Sequence, residues 1–337
     1  MNTLSGKAAT ILSLLLVALI ARLQFNNWAI AHHGNLSYLV DAAQGVLEGT
    51  PHWRAFQNRL LSPALVHMLG WVSSQPLLLF TQLWMLALNV GLFCMVRHLT
   101  RSHLLGLLAV VGAALMWVLE PHNSSYTWDL TEAACLLVLA FFATRPVPLA
   151  WMLALFVVAA FNRESAVFIG LYLMVCGVMM WACKQTQASR TMLWGVVLAS
   201  VSVVLTEVLR KTLFTTSALR GVGDDAAHAV FENHIHIGHN VALLQDLVHQ
   251  ASPLLFILAL YGMSLLVVIQ RGLVRQDARL VGAGVSLAAY LASLGVFGVL
   301  DELRLYQPLN WCLPLLLIAS LVPRAAAPGA LTDTGHA

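Results

Sequence analysis

About ten runs of mostly apolar residues divide the chain, each close to the length a helix needs to cross a bilayer, and this pattern limits the fold more than any other feature. The runs cover 8 to 24, 76 to 96, 103 to 119, 130 to 144, 147 to 161, 166 to 183, 192 to 209, 253 to 270, 280 to 300 and 309 to 323. With 59% hydrophobic and 10% charged residues over 337 positions, the chain carries more apolar surface than one soluble core hides. A mean hydropathy of +0.79 agrees. Backbone groups in hydrocarbon need internal partners, which helices supply. The expected fold is therefore all-α: a polytopic integral membrane protein forming a single transmembrane domain over residues 1–337. The runs at 130 to 144 and 147 to 161 are short for a bilayer and read as tilted, shifted or partly re-entrant.

Charge sets the expected orientation. With the N-terminus in the cytoplasm, Lys7, Arg97, Arg101, Arg145, Lys184, Arg190, Arg271, Arg275, Arg279 and Arg324 all fall on the inner side, mostly in short loops. Both termini are then cytoplasmic. A net charge of +3 gives no reason to expect a nucleic-acid partner, because the inner cations already serve topology. Cys94, Cys135, Cys176, Cys183 and Cys312 lie in or at the ends of apolar runs, so no outer disulfide framework is expected. The first run, followed by Ala29-Ile30-Ala31, also has the look of a signal peptide; a retained first span keeps the helix count even.

Nearly every carboxylate falls in an outward segment, with Asp277 and Asp333 the exceptions. The orientation rule does not concern Asp and Glu, so this asymmetry asks for a polar binding or reaction surface on the outer face. The first outward segment, roughly 25 to 75, predicts two interfacial helices. From Leu36 to Glu48, apolar residues recur at helical spacing, and Ser37, Asp41, Gln44 and Glu48 form a polar stripe behind an Asn35 N-cap. Asp41, with no cation adjacent in sequence, suits a proton acceptor for a hydroxyl, or is a solvated residue on an amphipathic helix. Asn162-Arg163-Glu164-Ser165 places charges in a turn with little spare loop; they either pair or serve a polar cavity. In Asp301-Glu302-Leu303-Arg304, the guanidinium offers a fork to a phosphate, or pairs with its neighbouring acids. Tyr126, Trp128 and Asp129, with Glu132 three residues on, combine rings and carboxylates as sugar sites do, although interfacial aromatics need no ligand. The second long outward segment, about 210 to 252, predicts a loop and a short helix. Its His234, His236 and His239 are weak metal candidates, without the spacing that marks a strong site. Glu207 is accounted for by an intrahelical pair with Arg210 or Lys211.

No phosphate-binding loop, dinucleotide fingerprint, nucleophile elbow or zinc helix is present in the sequence, which argues against nucleotide chemistry. Taken in order, Asp41, Arg59-Leu60-Leu61-Ser62-Pro63, Asn162-Arg163-Glu164-Ser165 and Glu302-Leu303-Arg304 ahead of Pro308 resemble a group of bacterial inner-membrane proteins. These in turn resemble the GT-C superfamily of polytopic glycosyltransferases. That resemblance implies a GT-C-like fold in the bacterial cytoplasmic membrane and a polyprenyl-phosphate-linked sugar as donor. The acceptor would be an envelope glycan, lipid or protein. Asp41 matches the superfamily's candidate base. Arg59, Arg163 and Arg304 would hold the lipid phosphate, while Glu164, Asp129 and Glu302 orient them or bind sugar hydroxyls, and Tyr126 and Trp128 contact the substrate. The first loop lacks an Asp-x-Asp pair and no large outer domain follows the last run. No cofactor is called for, and a divalent metal is left open. The competing readings are a transporter or flippase of a lipid-linked or anionic solute, and a non-catalytic partner of envelope-assembly proteins.

Overall fold

Every apolar run in the sequence is a helix in the structure, a computed structural model that describes residues 2–50, 58–119, 126–213, 237–250, 252–298, 300 and 302–322. In chain order the helices are α1 (Asn2–His32), α2 (Leu36–Leu47), α3 (Leu61–Leu69), α4 (Pro76–Thr100), α5 (His103–Leu119), α6 (Thr127–Ala143) and α7 (Leu149–Ala160). After a 3-10 turn at Glu164–Ala166 come α8 (Val167–Ala182), α9 (Ala188–Leu213), α10 (Ile237–His249), α11 (Pro253–Val274) and α12 (Ala278–Phe297). A second 3-10 turn at Leu303–Tyr306 leads into α13 (Gln307–Leu321). No strand occurs among the described residues.

This is a helical membrane protein. Among the described residues six stretches are long and apolar enough to cross a bilayer: Gly6–His32, Pro76–Thr100, Glu164–Ala182, Ala188–Leu213, Leu254–Val274 and Ala278–Phe297. α5 and α7 are shorter apolar helices. Large apolar side chains stay exposed along α1 and α9, with Leu15 at 62% and Leu193 at 63%, as a lipid-facing surface requires. Polar contacts join helices where hydrocarbon gives no hydrophobic drive: Asn89 Nδ2 on α4 donates to Gln24 Oε1 on α1 at 2.6 Å.

The first helix runs past the expected end of its apolar run, to His32. No Gly or Pro interrupts it between that run and Gly34, and the polar Gln24 is buried against Asn89 instead of marking an exit. α2 and α3 stand where two interfacial helices were expected, and Ser37, Asp41, Gln44 and Glu48 form the exposed stripe of α2. Asn35 precedes α2 but its side chain makes no capping bond; its φ of −117° and ψ of 8° depart from the extended backbone that a capping side chain needs. Gly49, at φ 73°, closes the helix in the left-handed conformation that favours glycine.

The tightest helix crossing is α8 on α9. A Cβ on Gly170 would lie 2.5 Å from the Ala199 nitrogen, and one on Gly177 would lie 2.6 Å from that of Met192. Only glycine lets the two backbones approach this far. The antiparallel pair, with α12 beside α8 and α6 against α12, forms a four-helix frame. At its upper end α6 and α8 begin and α9 and α12 finish.

Candidate active site

The site at the upper end is built from the first turn of α6. The Tyr126 backbone N–H donates to Asp129 Oδ2 at 2.9 Å, which caps the helix and pulls a carboxylate to 0% exposure. A charge so buried requires partners. The turn after α7 supplies one, and that turn is fixed by its polar neighbours. Asn162 Nδ2 donates to the Trp128 carbonyl at 2.9 Å and its Oδ1 accepts from Ser62 Oγ at 2.6 Å, while the Leu61 N–H donates to the Phe161 carbonyl at 2.8 Å. These bonds tie α3, α6 and the turn together. Arg163, next in sequence, then points inward, and its Nη1 donates to Asp129 Oδ1 at 3.0 Å and to Glu132 Oε2 at 2.5 Å.

Arg304, on the 3-10 turn before α13, completes this first network. Its Nη2 donates to Glu302 Oε1 at 2.6 Å and its Nη1 to Asp129 Oδ2 at 3.4 Å, with the guanidinium 4.5 Å from the Tyr126 ring centre. A second network runs alongside. Arg59 grips Glu164 with Nη2 to Oε1 at 2.7 Å and Nε to Oε2 at 3.4 Å, and Asn58 Nδ2 adds a bond to Oε2 at 3.3 Å. Arg210, from the end of α9, lies 3.9 Å from Glu164 and donates to Glu207 at 3.4 Å. Charges thus alternate along both networks.

Burial works against the charge on Arg163, but the Glu132 and Asp129 carboxylates outweigh it and hold its pKa well above the usual arginine value. For Arg304, burial is again opposed and overcome, by Asp129 and then Glu302. At Arg59 burial wins and the pKa is lowered despite Glu164, although arginine remains a cation. The Tyr126 phenol is pushed well above its ordinary value by burial and then by its hydrogen bond to Tyr38.

Both networks border a cavity of about 630 Å³ between the upper ends of α8, α9 and α12. Arg59, Arg163, Glu164, Glu302 and Arg304 line it, so the three arginines singled out in the sequence reach one site from segments that are far apart in the chain. Glu132, Glu207 and Arg210 line it as well, and Phe168 and Tyr290, packed edge to face with ring centres 5.4 Å apart, give it an apolar side. The remaining expected residues are placed elsewhere. Asp129 lies behind Arg163 and Arg304 as their shared partner. Trp128 is 0% exposed, stacked on Tyr126 with ring centres 4.8 Å apart and with the Arg59 guanidinium 5.2 Å from its ring, so it offers support and not a sugar-binding face. Neither Tyr126 nor Trp128 lines the cavity. Asp41 sits on the exposed face of α2, off the cavity wall; Tyr38, three residues earlier, meets the Tyr126 hydroxyl at 3.3 Å.

Glu207 and Arg210 make the expected intrahelical pair, yet that pair also belongs to the cavity wall. No sequence signal separates the two roles, since the pairing satisfies both residues locally. Tyr290 and Ser202 sit inside apolar runs and stand out only once the helices are assembled. His234, His236 and Asp301 lie outside the described residues, and His239 is exposed on α10. Among the described residues no group of three metal-ligating side chains comes together. Comparison of the chain with protein-family models, with curated proteins and with solved structures returned no match.

Proposed function

We propose that the chain is a membrane glycosyltransferase of GT-C-like architecture, with about ten spans, that takes its sugar from a polyprenyl-phosphate donor. The observation that supports this reading is the meeting of Arg59, Arg163 and Arg304 at one cavity, with Arg210 added, beside an apolar wall at one end of the bundle. Four guanidiniums at a site of this depth suit a phosphate that gains charge as it leaves the sugar, and the apolar wall suits a prenyl chain. Their carboxylate partners hold the guanidiniums in place before substrate arrives. Asp41 is the proton acceptor in this reading, which requires the acceptor hydroxyl to approach between α2 and Arg304. For an acceptor inside the cavity, Glu302, a part-exposed carboxylate on its wall, is the alternative base.

A carrier is the weaker reading. A path through the bundle would follow α6, α8 and α12, but midway along them the buried side chains are Leu136, Leu173 and Leu287, at 3%, 7% and 2% exposure, with the uncharged Ser286 beside them and no ionised group among the described residues. Carriers keep charged groups at that depth.

The test is a transfer assay in membranes with a panel of polyprenyl-phosphate sugars. Asp41→Asn is expected to reduce transfer by about a hundredfold or more, in the range of a lost general base, with the fold intact and Glu302→Gln much less affected. Wild-type transfer retained by Asp41→Asn and lost in Glu302→Gln would move the base to Glu302. No transfer with any donor would count against the whole reading.

A further inference from the structure

At the opposite, lower end of the same four helices, where α6 and α8 finish and α9 and α12 begin, lies a second cavity of about 650 Å³. Arg145, Arg190, Arg275 and Arg279 line it, and among the described lining residues Asp277 is the one carboxylate. The contrast with the upper cavity is chemical. There, four lining arginines face Glu132, Glu164, Glu207 and Glu302; here four face a single acid, so the lining carries an excess of positive charge.

Topology alone accounts for arginines at this end of the bundle but not for their convergence. Arg97, Arg101, Lys184 and Arg271, which satisfy the same rule, do not line the cavity. Three of the four that do are held in place locally. Arg275 Nη1 donates to the Ala319 and Val322 carbonyls at 3.3 and 3.2 Å, the Arg145 guanidinium lies 4.3 Å from the Phe141 ring centre, and Arg279 Nε is 3.7 Å from Asp277 Oδ1. Arg190 is exposed on the first turn of α9. The first turns of α9 and α12 both reach the cavity, and the dipoles of these long helices add to the attraction for an anion.

Gln185, Gln187, Thr191 and Gln276 add polar groups to the wall, and its apolar side is carried mainly by α8. Along α8 the lining runs from Tyr172 through Leu173 to Met180, about 12 Å into the bundle at the rise of an α-helix, with Trp194 opposite on α9. A cationic mouth with an apolar face along α8 matches an anionic amphiphile better than a free ion. We infer that the lower cavity binds a phosphate-bearing lipid, its headgroup among Arg145, Arg190 and Arg279 and its chain against α8. This inference rests on the lower cavity alone and is independent of glycosyl transfer at the upper one.

Native mass spectrometry of the full chain in neutral detergent tests it, with phosphatidylglycerol and phosphatidylcholine of identical chains as probes and inorganic phosphate as competitor. Phosphatidylglycerol is expected to be retained in preference, and Arg190→Gln to weaken it about fivefold, as expected for one interfacial cation. Arg190→Glu should weaken it further, with both variants melting like wild type and Arg97→Gln, at a position that lines neither cavity, binding as wild type does. Equal retention of phosphatidylcholine, or undiminished phosphatidylglycerol binding in Arg190→Glu, would overturn the inference. Displacement of the lipid by an equal concentration of inorganic phosphate would overturn the lipid assignment in favour of a free-anion site.

Discussion

Arg163→Ala is expected to cost about 3–5 kcal/mol of stability, the usual loss when one member of a buried ion-pair network is removed. Arg163 is the shared donor to Asp129 and Glu132, which are 0% and 2% exposed. Without it two carboxylates are left in the apolar end of α6, with Arg304 reaching Asp129 at 3.4 Å and making no bond to Glu132. Three variants separate charge from packing. Arg163→Met fills much of the same space, and should lose as much as Arg163→Ala; Arg163→Lys keeps the cation and should lose less. Melting of the purified proteins in one detergent reads the difference, and a stable Arg163→Met variant would show that the network contributes little to the fold.

The second large effect is expected at Gly170. A Leu there must put its Cβ within 2.5 Å of the Ala199 nitrogen and 2.9 Å of its Cα, atoms of the α9 backbone that no rotamer change can move aside. The helices must separate, at about 3 kcal/mol or more, toward the upper range for overpacking. Because α8 and α9 both line the two cavities, the damage should reach each site. Gly112, where an added Cβ would meet nothing within 4 Å, is the control: Gly112→Ala should melt at or slightly above the wild-type temperature. Equal melting of Gly170→Leu and wild type would mean that the crossing is looser than these distances imply.

The helices were legible because apolar length is a local property. Leu36 to Glu48 shows why the amphipathic pieces were legible too: one stripe of polar residues fixes both the helix and its exposed face. The site was legible in its arginines, which stand out because charge next to hydrocarbon is costly. What the sequence hid was which acid meets which arginine. Asp129 is expected only as one of three acids that orient the arginines or bind sugar hydroxyls, and the assembled bundle makes it the hub between Arg163 and Arg304. Trp128 reads as an interfacial ring, yet packing against Val46 and Tyr126 buries it completely. Arg210 and the lower arginines looked fully explained by a neighbouring acid or by topology. A satisfied local role removes the anomaly that sequence reasoning depends on, and convergence on a cavity is a tertiary fact.

The central claim is that the upper cavity holds a lipid-linked phosphate, and Arg210 tests it most directly. Its side chain is 21% exposed, and its nearest acids are 3.4 and 3.9 Å away, so it is held more loosely than Arg59, Arg163 or Arg304 and its loss should spare the fold. The measurement is the affinity of the purified protein for a polyprenyl phosphate and for the matching polyprenol. The phosphate should bind more tightly than the alcohol, and Arg210→Gln should weaken the phosphate by about tenfold or more, the value of one charge-assisted hydrogen bond, without changing the alcohol. Equal affinity for the two lipids, or an Arg210→Gln variant that binds the phosphate as wild type does, would contradict the claim.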